Sequence, residues 1–176
     1  RFNAGMEQKT MPDYNPYTIK RCKDCDMNNG KMELVFVPEN ELCAACKLVR
    51  ELAKADAKQT RAAAKPLQGT IIRNTHFHHD VNITGTSIRE WTNQPHKHFK
   101  AKNQMLLDIN NVFSNAAYLG TTDNHKGIKR VVQSHIFEVE VSGEKNLLIV
   151  REYDWGEYVL HSISDSPELY NKIKKE

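Results

Sequence analysis

Four cysteines constrain this chain more than any other feature. They stand as Cys22-x-x-Cys25 and Cys43-x-x-Cys46, with seventeen residues between the pairs, and no cysteine follows. Two C-x-x-C pairs at this spacing read as a zinc site. Each pair forms a knuckle whose two thiolates aim at one centre, and two knuckles complete a tetrahedral shell. Cys22, Cys25, Cys43 and Cys46 are therefore the expected zinc ligands. A closed all-thiolate shell leaves no open coordination position, so the expected Zn2+ is structural. The alternative, two disulfides, needs an oxidising compartment, and no signal peptide opens the chain to argue for one. A module this short cannot bury an adequate core, and metal binding would supply the folding free energy it lacks. Within it, Asn28-Asn29-Gly30 reads as a turn and Lys31–Val37 alternates like a strand. Residues 1–50 are read as a zinc ribbon. Lys20, Arg21 and Lys23 flank the first knuckle; a solvated rim is the ordinary reading and phosphate contact the sharper one.

Residues 51–68 read as a helical linker. From Leu42 to Ala64, Leu48, Leu52 and Ala55 recur at helical spacing in an Ala-rich stretch, and Pro66 and Gly69 end it. Residues 69–176 form the second domain. Thr70-Ile71-Ile72 starts a strand. Thr86 or Ser87 caps a short helix, with Glu90 in capping-box position to Ser87, and Asn93-Gln94-Pro95 closes it. One long helix carries the apolar stripe Phe99, Leu106, Ile109, Val112, Phe113, Ala116 and Ala117, and Gly120 is its expected left-handed cap. A polar loop over 120–130 precedes three strands, Ser134–Val141, Leu147–Tyr153 and Glu157–Ser164, joined by turns. Residues 166–176 look peripheral. Helices first and an antiparallel meander after give an α+β fold. The expected architecture is a four-cysteine zinc ribbon and helical linker, then helices packed on a small antiparallel β-sheet.

Charge divides along the same line. Residues 1–68 hold 12 Lys and Arg against 9 Asp and Glu, whereas residues 69–176 hold 13 of each. The second domain is no bulk polycation, so it can meet nucleic acid only through a local patch. No apolar run approaches the roughly 20 residues that a membrane span needs. The chain opens on Arg1, which reads as a piece of a longer protein.

All eight histidines follow residue 75. Thr75-His76-Phe77-His78-His79-Asp80 superficially matches the metal motif of the metallo-β-lactamase fold, but Val81 stands where that motif needs a histidine. The second domain has no cysteine nucleophile and no Gly-rich phosphate loop. His96, His98, Lys102, His135, Arg151, His161 and Ser162 instead set imidazoles and cations among hydroxyls. Such a set suits metal-free cleavage of RNA. A base takes the 2′-hydroxyl proton, an acid protonates the leaving 5′ oxygen, and fixed cations stabilise the phosphorane. Imidazole titrates near neutrality and guanidinium matches phosphate. The bland reading is that a strand histidine is a surface or core residue, and that Arg151 pairs with Glu138 or Glu140. Hairpin parity decides between them. If Val141 pairs Asn146, His135 points away from Arg151. Ser162 shares the Arg151 face only if Trp155-Gly156 is a two-residue loop.

The ordered set Ser87-Ile88-Arg89-Glu90, Asn93-Gln94-Pro95-His96, Lys102-Asn103, Asn115-Ala116, His135, Arg151 and Ser162-Ile163-Ser164 resembles a phage-associated ribonuclease-like domain. That domain belongs with the barnase, EndoU, colicin and RelE-like nucleases and is fused to phage Mu F-like head-morphogenesis (minor capsid) proteins. Met11-Pro12-Asp13-Tyr14-Asn15-Pro16-Tyr17 looks like the region that precedes it. The resemblance covers about residues 70–165. It implies helices packed on a four-stranded antiparallel sheet and a toxin-like, metal-independent endoribonuclease. It further implies that His135, Arg151 and Ser162 sit in the cleft, joined by His96, His98 or Lys102. His135 would be general acid or base, Arg151 the phosphate clamp, and Ser162 the positioning hydroxyl. The implied partners are RNA, with tRNA a candidate substrate, capsid or portal proteins, and an immunity protein, with no membrane. The implied location is a phage virion or the bacterial cytoplasm. Two readings compete: a non-catalytic virion module that binds capsid, portal or DNA, and a zinc-ribbon adaptor with a degenerate nuclease fold.

Overall fold

The computed structural model describes residues 19–21, 24, 36–38, 42–124 and 126–175. The chain divides into two compact units, Arg1–Val49 and Arg50–Glu176. In the first, strands β1 (Ile19–Arg21) and β2 (Phe36–Pro38) pair antiparallel, Ile19 opposite Pro38. Helix α1 (Ala44–Ala64) starts directly after Cys43. Cys43 and Cys46 are buried, and the Cys46 amide donates toward Cys43 Sγ at 3.5 Å. Cys22 and Cys25 lie outside the described residues.

The second unit is α+β. A six-stranded mixed sheet runs in the order β3 (Ile71–Ile72), β4 (Val81–Asn82), β8 (Tyr158–Ser164), β7 (Glu144–Tyr153), β6 (Val131–Val141), β5 (Ala117–Asp123). Strands β5 to β8 form a four-stranded antiparallel meander; β4 joins β8 in parallel. One face of the sheet packs against helices α2 (Gly85–Asn93), α3 (Phe99–Leu107) and α4 (Ile109–Asn115). Their apolar stripe of Trp91, Leu106, Ile109 and Phe113 shares a core with Phe137, Leu148, Val150, Leu160 and Ile163 from the strands. Such side chains contribute about 1.5–3 kcal/mol each when taken out of water. Strands with one covered face carry alternate residues to the other face, and that second face carries the polar groups.

Local chemistry explains where the elements depart from expectation. Thr84, not Thr86 or Ser87, caps α2: its hydroxyl accepts from the Ser87 amide at 3.1 Å, and Ser87 Oγ accepts from the Thr84 amide at 3.0 Å. The long helix expected over Phe99–Ala117 breaks at Asp108. There the chain leaves helical geometry, and the Asp108 carboxylate accepts from Asn111 Nδ2 at 2.8 Å. Ala117–Asp123 is a strand rather than a helix end and loop. A bulge between Tyr118 and Gly120 breaks its alternation, which hid it. Gly120 has φ +130°, and a Cβ there would collide with the Lys174 carbonyl. A single-turn helix α5 (Pro167–Tyr170) follows β8, and Lys174 bridges Thr121 on β5. No helix among the described residues is long and apolar enough to cross a membrane.

Candidate functional site

The uncovered face of the meander carries a cleft of about 410 Å³, walled on one side by residues from α5 and the segment after it. Strand register determines which side chains reach it. Ser134 lies directly opposite Arg151, and Ile136 opposite Ile149, all on this face. On β8, Arg151 opposes Val159, so an unbroken register would turn Ser162 into the core. A bulge intervenes: Val150 pairs with Leu160, but Ile149 pairs with Ser162. The extra residue is His161. Alternation from Val159 already carries His161 to the Arg151 cleft, and the bulge adds Ser162 beside it, which is how bulges re-aim side chains beside functional sites.

Arg151, His161, Ser162, Ser134, Lys126 and Lys172 line this cleft. Among the described residues, the side chains of Arg151, His161 and Ser162 have no hydrogen-bond or ion-pair partner. Their donors and acceptors are left for a ligand. Burial, then the nearby charges of Arg151 and Lys126, push the His161 imidazole down to about 4. It is neutral at physiological pH, and a weak base until an anion offsets the two neighbouring cations. Glu168 also lines the wall, and Asp123 at the edge is tied to Lys174 at 2.7 Å. Guanidinium, ammonium and hydroxyl groups around a neutral imidazole have the chemistry to hold an anion such as a phosphate.

Of the residues singled out from sequence, the structure brings Arg151, His161 and Ser162 together. It does not bring the others to them. His135 points to the helix-covered face, because its partner is Val150, one position away from Arg151. There its Nε2 lies 2.7 Å from Glu152 and its Nδ1 2.9 Å from the Tyr118 hydroxyl. Glu152 and the Tyr118 hydroxyl, one at each ring nitrogen, fix the orientation of the imidazole. His96 is buried; its Nδ1 accepts from the His98 amide at 2.9 Å, so its Nε2 donates to Asn146 Oδ1 at 2.8 Å. Burial lowers its pKa. His98 is half-exposed and stands 3.7 Å from Glu144.

Lys102 is wholly buried. Its ammonium donates to the Trp91 and Gln94 carbonyls, 2.6 Å each, while Trp91 Nε1 donates to the Lys102 carbonyl at 2.9 Å. It closes the C-terminal end of α2, as a cation at that end of a helix does. Burial drops its pKa to about 8, even so.

Lys126 is the site residue that sequence reasoning passed over, and His161, named in the wider set, was given no role there in favour of His135. His161 takes the Arg151 face because Val159 pairs with Arg151, a register that no local pattern in either strand records. The histidines after Thr75 are also apart from the cleft. Asp80 pairs with Arg73 at 2.8 Å and His79 stacks on Tyr158 with ring centres 4.3 Å apart. Among the described residues, no group of three or more His, Cys, Asp or Glu is placed to hold a metal ion.

The family model of large polyvalent protein-associated domain 3 matches residues 51–169. No curated protein and no solved structure matches the chain significantly.

Proposed function

The chain belongs to the large polyvalent protein-associated domain 3 family, and we propose that in this member the Arg151 cleft binds an RNA phosphodiester and cleaves it without a metal. The observation that carries this reading is an unpartnered Arg151 guanidinium sharing one cleft with a neutral His161 and Ser162. Arg151 clamps the phosphate and stabilises charge on the phosphorane. With the bound phosphate offsetting the charges of Arg151 and Lys126 that depress its basicity, His161 takes the proton from the 2′-hydroxyl, whose oxygen then attacks phosphorus. The bond from phosphorus to the 5′ oxygen breaks, leaving a 2′,3′-cyclic phosphate. Lys126, near enough to act on His161 electrostatically, protonates the leaving 5′ oxygen. Ser162 orients a phosphate oxygen or the attacking hydroxyl. His135 moves from the catalytic role that resemblance implied to one of holding Tyr118 and Glu152.

The family description ties the domain to large polyvalent proteins. A place on a phage head protein of the Mu F-like kind, with a toxin-like action on bacterial RNA, tRNA among it, accords with that description. An immunity protein and capsid or portal proteins are the partners this implies. Zinc held by Cys22, Cys25, Cys43 and Cys46 would staple the N-terminal unit. Cys43 and Cys46 fit that role: they are buried together, and an amide-to-sulfur hydrogen bond orders the pair. Bound there, zinc supplies folding free energy and no chemistry.

The test is RNA cleavage by the purified chain in chelator. Cleavage should fall about 100-fold or more in His161→Ala and in Arg151→Ala, and stay near wild type in His98→Ala. Intact RNA with the wild-type chain, or undiminished cleavage by Arg151→Ala, overturns the reading. The balanced charge of residues 69–176 favours the second reading, a non-catalytic virion module. That reading predicts association with capsid or portal and no cleavage product.

A further inference from the structure

Arg151 and His161 form a wall shared by two clefts. On the far side lies a smaller pocket of about 290 Å³, which they line together with Thr86, Tyr153, Trp155 and Glu157. Trp155 sits on the turn between β7 and β8 and is 50% exposed. An exposed tryptophan on a turn is ordinarily mobile; this one is held on several sides. Its ring stacks on Tyr153 with centres 4.5 Å apart and planes 29° from parallel. Arg130 Cζ stands 4.7 Å from its ring centre. The indole N–H donates to Glu157 Oε2 at 2.7 Å, and Glu157 Oε1 accepts from Asn82 at 3.1 Å. Arg130 is itself fixed: it adopts φ +68°, its carbonyl accepts from the Asp154 amide at 2.9 Å, and its Nε lies 3.1 Å from Asp154 Oδ1. A large aromatic surface is therefore kept half in water with its orientation already determined, so little ordering entropy remains to be lost on stacking.

We infer that this pocket is a nucleobase subsite: an unpaired base of single-stranded RNA, adjacent to the phosphate on Arg151, packs against the Tyr153–Trp155 wall. The inference rests on the phosphodiester reading of the Arg151 cleft. Bases within a duplex are stacked on each other and cannot reach an aromatic side chain, whereas splayed single-strand bases can. Flat aromatic walls beside phosphate-binding cations are how proteins hold single strands. The Thr86 hydroxyl offers the base edge a donor and an acceptor.

Tryptophan fluorescence of the full chain tests this directly. Trp91 is fully buried and Trp155 half-exposed, so a ligand-induced change reports on Trp155. The probe is a short single-stranded 2′-O-methyl RNA, which lacks the attacking hydroxyl and stays intact. Binding should quench emission saturably, and the same sequence as a duplex should not. By anisotropy of the labelled strand, Trp155→Leu should weaken binding about ten-fold or more, Trp155→Phe less, with thermal midpoints unchanged. Strand binding with unaltered fluorescence and full affinity in Trp155→Leu overturns the subsite and leaves the Arg151 cleft standing. Quenching by the probe together with uncleaved natural RNA supports the subsite and overturns catalysis. No binding at all overturns both.

Discussion

His161 and Lys102 show how burial tunes a single side chain. Both are pushed toward the neutral form by desolvation, but Lys102 spends its protons on two backbone carbonyls while His161 faces a cleft with none. This difference has a measurable consequence. In the folded chain His161 titrates near 4, against an ordinary value of 6.5. Above that window both states are neutral and the group is silent. As pH falls through it, the unfolded chain takes up a proton that the folded chain refuses, so stability declines. Urea midpoints measured at neutral and mildly acidic pH should show wild type losing stability that His161→Gln retains. A parallel decline in both chains would mean that His161 is not the group responsible. Residue identity alone did not single out His161 over His135. Both are strand histidines among mixed neighbours, and their difference lies in which face each one occupies.

At the scale of elements, turn chemistry sets register and register sets the site. The β6–β7 hairpin turns on Ser142 and Gly143, with φ +51° and +80°. Two left-handed residues make the tight turn that suits the twist of paired strands. Glycine adopts that geometry freely and serine does not. Ser142→Asn should therefore raise stability by up to about 1 kcal/mol, read as a higher thermal midpoint. A lower midpoint would argue against the left-handed turn. The hairpin partnership itself was readable from alternation, and so were α1, α2 and the apolar stripe of α3 and α4. What alternation could not supply were its own interruptions. The bulge at His161 shifts Ser162 to the Arg151 face although the β7–β8 turn is longer than two residues. The bulge at Gly120 hid strand β5 altogether. Bulges arise from how one strand fits its neighbour, and each strand alone carries no record of them.

Taken whole, the molecule is two units with different sources of stability. Residues from Arg50 onward hold a continuous core of their own. Among its described residues the N-terminal unit has short strands, the start of α1 and a buried cysteine pair packed by Leu42. If zinc stabilises it, the purified chain should carry one equivalent of metal, and Cys43→Ser should lose most of it. Calorimetry of that variant should retain the transition of the larger unit. A metal-free chain whose N-terminal unit melts cooperatively would refute the zinc assignment.

The family match, residues 51–169, falls almost wholly within the larger unit. From the sequence alone came the α+β class, the cysteine spacing and the segregation of every histidine after residue 75. These follow from composition and periodicity, which are local properties, whereas the grouping of Arg151 with Ser162 in one cleft came from the family resemblance and not from strand parity. Tertiary structure alone decided that β4 runs parallel to β8, that Lys102 and His96 serve the core, and that His161 joins Arg151 in a cleft beside Trp155. Those depend on strand register, bulges and the packing of segments far apart in the chain, where one residue of shift exchanges the buried face for the open one.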